Sequence, residues 1–359
     1  MIDTHKRLSV TLFSVVCLVS SAIQAETFDK FAEPADESSQ FEAEVLLSGL
    51  KNPAGITLSP TQSKTEPVKL FIAESGAGRV ISVVSTAADN VNQVVVDFPI
   101  GSLGDYRVGP MGLGFVAPSK LAVVANQGSD EQPEIRVFEI RKNLKAQTAS
   151  AVAYVAELAN KTSESPPYRA DHYGLAFTSS ACYLTGANGG ANGWILKCKI
   201  EANRLSPLQK IGNLSHTGSL AGFLAPTVVP SPRPAYLVAA MTGSFETPQD
   251  SRLGFFLPDT GELVMNLPTG LHDIVALAYS RSGQLYAADF SWTDEQTGGV
   301  YRLDDARVEG RQSCRAVKIA PVVRPFGLAF APDGSLFVTS FGTVKEPADG
   351  KLIKITGSL

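Results

Sequence analysis

A short segment of small and apolar residues recurs six times along the chain, and this repetition constrains the fold more than any other feature. The copies are Gly55-Ile-Thr-Leu, Gly112-Leu-Gly-Phe, Gly174-Leu-Ala-Phe, Thr227-Val-Val-Pro, Ala276-Leu-Ala-Tyr and Gly327-Leu-Ala-Phe. Each is followed by a second β-rich run, such as Leu70-Phe-Ile-Ala or Leu336-Phe-Val-Thr, and by a third, such as Arg79-Val-Ile-Ser-Val or Leu352-Ile-Lys-Ile. Several third runs alternate apolar with polar residues, the period of a half-exposed strand. Five repeats carry a fourth strand: Gln93-Val-Val-Val-Asp, Val152-Ala-Tyr-Val-Ala, Leu208-Gln-Lys-Ile, Leu263-Val-Met-Asn-Leu and Ala316-Val-Lys-Ile. The sixth repeat ends after its third strand at Leu359, and Glu44-Val-Leu-Leu-Ser before the first repeat supplies the missing partner. Four strands per repeat of about 40–55 residues is the propeller pattern. The expected fold is all-β: a six-bladed β-propeller of four-stranded antiparallel blades, closed by the N-terminal strand in the last blade. That closure hides both free edges.

Composition agrees. Of 359 residues, 31 are Gly and 22 Pro, as turn-dense chains require, and the 44% hydrophobic content supplies a core. Net charge is −4 with no basic block, so nucleic acid is not an expected partner.

Residues 1–25 read as a secretory signal peptide. His5-Lys6-Arg7 is the basic start, Leu8 to Val19 the apolar stretch, and Ile23-Gln24-Ala25 a small-residue exit. The stretch is too short to cross a bilayer of about 30 Å as a helix. After cleavage no membrane span is expected, and the protein is periplasmic or extracellular. Residues 26–40 read as a flexible polar leader and 41–359 as the propeller. Export makes disulfides possible. A hairpin centred on Gly190 would place Cys182 opposite Cys198, either as a cross-strand disulfide or as two buried thiols. Cys314 is then unpaired.

Gly49-Leu-Lys-Asn-Pro-Ala-Gly-Ile with Leu70-Phe-Ile-Ala-Glu-Ser-Gly-Ala-Gly-Arg-Val, and Phe326-Gly-Leu-Ala-Phe-Ala-Pro-Asp-Gly-Ser-Leu-Phe-Val-Thr, resemble the blades of NHL-type propellers. The wider superfamily includes gluconolactonase-like hydrolases, soluble quinoprotein sugar dehydrogenases and plain binding proteins. The resemblance implies Ca²⁺ or pyrroloquinoline quinone as cofactors to consider. This chain lacks the Glu-Gly-Pro motif of the lactonases, and Asp171-His-Tyr-Gly-Leu-Ala-Phe only echoes a dehydrogenase strand.

The entries to the innermost strands and the loops between second and third strands ring one mouth of a propeller's channel. There lie Asp105, Arg107, Asp171, His172, His272, Asp273 and Arg324, together with Glu74, Asn126, Asn188, Glu246, Asp289, Trp292, Asp294 and Glu295. His172, and His272 beside Asp273, suit general acid–base chemistry, or else cap turns between blades. They are read as equivalent entries in blades 3 and 5. Glu74, Asn126 and Asp289 end second strands and suit a ring of Ca²⁺ ligands, or satisfy loop amides. Arg107 and Arg324 could clamp a carboxylate or phosphate, or pair with Asp105 and Asp273. Trp292, among acids and amides, suits sugar binding or a lid over the seam of blades 5 and 6. Two function classes follow. One is a binding propeller that holds a small polar ligand or a protein partner at the mouth. The other is a sugar-related enzyme, a lactone hydrolase or quinone-dependent dehydrogenase, with its site in the same place.

Overall fold

The computed structural model describes residues 30–61, 66–125, 133–141, 145–159, 171–187, 193–213, 227–232, 236–244, 246–343 and 348–359. The signal segment 1–25 lies outside them. The described residues form six small sheets arranged in a ring, a six-bladed β-propeller. Blade 1 comprises Pro53–Leu58, Lys69–Glu74, Arg79–Val84 and Ala87–Val96. Blade 2 comprises Pro110–Ala117, Lys120–Ala125, Glu134–Glu139 and Tyr154–Glu157. In blade 3 the strands are Asp171–Phe177, Ala181–Ala187, Gly193–Glu201 and Gln209–Asn213. In blade 4 they are Thr227–Pro230, Leu237–Met241, Arg252–Phe256 and Leu263–Pro268. Blade 5 is built from Ile274–Tyr279, Leu285–Asp289, Gly299–Val308 and Arg311–Ala320. Blade 6 has Pro325–Phe330, Leu336–Ser340 and Gly350–Thr356, and Glu42–Leu50 pairs antiparallel with the last of these, closing the ring.

Each inner strand packs against the next around the channel, and this contact explains the recurrent glycine. A Cβ on Gly327 would lie 2.6 Å from the Ala54 carbonyl oxygen of the neighbouring blade, and one on Gly174 would lie 2.9 Å from Thr227 Cα. Neither approach is sterically allowed. Threonines in or just after the second strands reinforce the ring. Thr339 Oγ1 accepts the Gly327 N–H at 2.8 Å and donates to the Ala54 carbonyl at 2.5 Å, and Thr242 Oγ1 donates to the Ile274 carbonyl at 2.9 Å. The apolar core is divided among the seams between blades. Trp194, Leu184 and Val137 fill one such seam, and Leu285, Leu253 and Cys314 another.

The leader departs from expectation. Ala32–Asp36 is not free but pairs in parallel with the outer strand Arg311–Ala320 of blade 5, and Ser38–Gln40 forms a 3-10 turn. An unpaired outer edge offers backbone donors and acceptors, which the leader satisfies. Ser313 Oγ holds the Lys30 carbonyl at 3.0 Å, and Arg302 reaches Glu37 at 3.1 Å. Cys182 lies directly opposite Cys198, as the hairpin reading expects. Both thiols are free and buried here, and burial together with their mutual hydrogen bond pushes the Cys182 thiol well above its ordinary pKa. Among the described residues no helix is long and apolar enough to cross a membrane.

Candidate functional site at the channel mouth

The strand entries repeat a local geometry. Asn52, Asp273 and Arg324 stand three residues before the small residue of blades 1, 5 and 6, and their carbonyls accept the N–H groups of Ser75, Phe290 and Phe341. Asn52 and Arg324 are left-handed, at φ +45° and +46°, and Ser291 lies at φ +50°. For a side chain as long as Arg324 this conformation costs about 1–2 kcal/mol. Such strain marks positions that the surroundings hold for a purpose.

An aromatic group lines the described part of the mouth. The Gly101–Leu103 and Tyr106–Val108 hairpin, which precedes blade 2, drives Tyr106 into the mouth rather than acting as a strand entry. Tyr106 meets Trp292 at 5.3 Å, Phe341 at 5.4 Å and Phe290 at 6.1 Å, all edge-on, while Phe326 stacks on Phe341 at 5.0 Å. Trp292 is only half-buried and leans on Phe290 at 4.6 Å. The Arg324 guanidinium lies over Tyr106 and Phe290 at 5.4 and 5.5 Å and donates to Glu295 Oε1 at 2.9 Å. It does not pair with Asp273. Its Nε is buried without a partner, and so is the Tyr106 hydroxyl.

Beside this group lies a set of carboxyls. Asp289 is fully buried and accepts the N–H groups of His272 at 3.0 Å and Asp273 at 2.7 Å. Asp273 Oδ2 accepts the Trp292 N–H at 2.7 Å, while its Oδ1 is buried without a partner. Burial is the main reason that the Asp273 carboxyl is pushed up to about 7, and the nearby charges of Asp289 and Asp250 add to it. His272 Nδ1 stands 3.7 Å from Asp289 Oδ2, and that interaction raises its pKa. Asp250 Oδ2 accepts the Ser244 N–H at 2.8 Å, its Oδ1 is unpartnered, and burial raises its pKa as well.

Several expected roles change on this geometry. The strand register makes Asp171 the counterpart of Asp273, since His172 opposes Gly186 as Ile274 opposes Asp289. The two histidines are therefore not equivalent entries. The side chains of Asp171 and His172 lie outside the described set, as do Asn126 and Asn188. Glu74 accepts the Lys51 N–H at 2.9 Å and pairs with Arg79 at 2.5 Å, so its oxygens serve the loop, as those of Asp289 do. Among the described residues no group of three His, Cys, Asp or Glu is placed to hold a metal ion, and Asn126, the third expected Ca²⁺ ligand, lies outside them. Arg107 and Glu246 are exposed, and Asp294 folds its own loop by accepting the Gln296 N–H. A flat quinone bearing several carboxylates needs a slot and free cations. Among the described mouth residues Arg324 is paired with Glu295, so they do not present the several free cations that cofactor needs. Sequence reading did not find Phe341 or Asp250, and held Tyr106 only as the middle of the entry Asp105-Tyr106-Arg107. The repeat offers a signal for one of them, because Phe290 and Phe341 occupy the same position in blades 5 and 6.

The class defined so far is a six-bladed propeller with an aromatic and acidic channel mouth. No protein-family model and no curated protein matches the sequence. Solved structures do resemble it in fold. The PQQ-bound aldose sugar dehydrogenase of Streptomyces coelicolor is 12% identical with a TM-score of 0.56, covering 91% of this chain and 100% of that one. The soluble aldose sugar dehydrogenase of Escherichia coli is 12% identical with a TM-score of 0.54, covering 89% and 100%. A putative gluconolactonase is 10% identical with a TM-score of 0.53, covering 91% and 97%. At these identities the likeness is one of fold.

Proposed function

We propose that the protein is an exported propeller that binds a small polyhydroxylated ligand, of the sugar class, at the channel mouth. The observation that carries this reading is the half-buried Trp292 ring beside Asp273 and the Arg324–Glu295 pair. A sugar presents C–H faces to an aromatic ring and hydroxyls to carboxyls and guanidinium donors, and this set offers both. Calorimetric titration with a panel of monosaccharides and their lactones tests it. Binding that Trp292→Ala and Asp273→Ala abolish supports the reading, and a panel without heat overturns it.

A second reading, hydrolysis of a sugar lactone, is favoured by Asp273 alone. A carboxyl that titrates at about 7 can take a proton from water as the water attacks a lactone carbonyl, and can return it as the ring oxygen leaves. His272 and His172 are the further acid–base candidates in this reading. Turnover of glucono-lactone that Asp273→Asn removes would favour it over simple binding.

A further inference from the structure

The strand that Glu74 ends at the mouth begins at Lys69 on the opposite side of the ring, where blades 1 and 2 part around a groove of about 310 Å³. Its floor is a cross-strand row in blade 1, with Phe71 opposite Ser82 and Ser82 opposite Asn92. Ser82 is 3% exposed and lines the groove, so its hydroxyl belongs to the groove floor. Three cations surround that floor: Lys69 from blade 1, and Arg141 and Lys145 from the segment after the third strand of blade 2. Among the described residues no Asp or Glu lines the groove, although the chain as a whole is acidic at −4. Among the described residues none of the three cations has a carboxylate partner. Lys69 Nζ lies over the Phe71 ring at 5.3 Å, which aims it across the row.

Like charges around one concavity repel each other and concentrate anions there. A tetrahedral oxyanion would relieve that repulsion. Guanidinium and ammonium donors would meet its oxygens, and the Ser82 hydroxyl on the floor would donate to one of them. The volume is at the lower end for ligand pockets, which run from about 300 Å³. We propose that this groove between blades 1 and 2 binds the phosphate group of a small molecule, through Lys69, Arg141 and Lys145 over Ser82. The site is independent of the channel mouth.

Thermal unfolding and calorimetry with inorganic phosphate, against sodium chloride at matched ionic strength, test the proposal. A ligand held only by the folded state raises the midpoint. Phosphate should raise it above the chloride control. Lys69→Gln with Arg141→Gln and Lys145→Gln should abolish the rise, and Ser82→Ala should weaken binding by about tenfold, as loss of a hydrogen bond to a charged group does. Trp292→Ala should bind phosphate as the parent does. Absence of a rise in the parent, or an equal rise in the triple variant, would overturn the proposal. So would a rise removed by Trp292→Ala alone, since phosphate would then sit at the mouth.

Discussion

The carboxylate of Asp289 accepts the backbone N–H of Asp273 at 2.7 Å, and this one contact puts two acids side by side under Trp292. Asp289 holds the entry loop through two amides, those of His272 and Asp273. Asp273, buried beside it with one oxygen unpartnered, keeps its proton up to about pH 7.

Stability should follow that proton. The folded-state pKa of Asp273 lies above its unfolded value of 3.8, so its protonation favours the fold at low pH, and this contribution fades as pH rises from about 4 to about 7. The raised pKa of His272 acts in the same direction, its contribution being present below 6.5 and lost as pH rises through the folded value. Asp273→Asn should therefore raise the unfolding midpoint at pH 8, by an amount equivalent to about 4 kcal/mol at most, and change it little at pH 4. Melting curves of the two proteins across this range check it. Parallel curves would show that Asp273 is ionised throughout.

Thr339 joins blade 6 to blade 1 through one hydroxyl. Thr339→Val removes it and leaves the Gly327 N–H and the Ala54 carbonyl buried, which should cost about 1–3 kcal/mol. Urea unfolding with an unchanged slope and a lower midpoint is the expected result.

Closure of the ring depends on residues far apart in sequence. Deleting Glu42–Leu50 exposes the Gly350–Thr356 edge and uncovers Leu352, so the chain should lose cooperative unfolding and aggregate. Removing residues only up to Asp36 should leave a cooperative fold with a lower midpoint, since the leader strand adds to a blade already complete. Calorimetry of the two truncations distinguishes them.

Cys182 and Cys198 face each other as hydrogen-bonded thiols, and mild oxidation should join them. Cys314, buried and pushed up to about 12, should remain a thiol. Alkylation under denaturing conditions followed by mass measurement reads the difference. Three alkylated cysteines after oxidation of the protein lacking residues 1–25 would contradict it.

The ring was legible because each blade repeats the same contact: Gly55, Gly112, Gly174 and Gly327 are imposed by neighbouring inner strands, and such a requirement leaves a periodic mark. The Cys182–Cys198 register was legible for a similar reason, since a hairpin fixes its pairs from the centre outward. The mouth was less so. Asp105-Tyr106-Arg107 reads as a strand entry, yet the turn at Gly104 (φ +56°) makes a separate hairpin that inserts Tyr106 among rings from blades 5 and 6. Nothing local in the sequence encodes that long-range insertion. His172 and His272 look alike as lone histidines near strand entries, but they stand two and four residues before Gly174 and Ala276; Asp171 and Asp273 each stand three before, and the strand register agrees. The leader strand was hidden because its apolar content is low, and backbone pairing rather than burial holds it.

The most direct test of the ligand site uses its own fluorophore. The chain has two tryptophans, of which Trp194 is 1% exposed in a seam and Trp292 stands at the mouth. In a Trp194→Phe background, titration with glucose and glucono-lactone should change the Trp292 emission saturably, and Asp273→Ala should remove the change. A flat titration with both compounds, in a variant that melts as the parent does, would contradict a sugar site at the channel mouth.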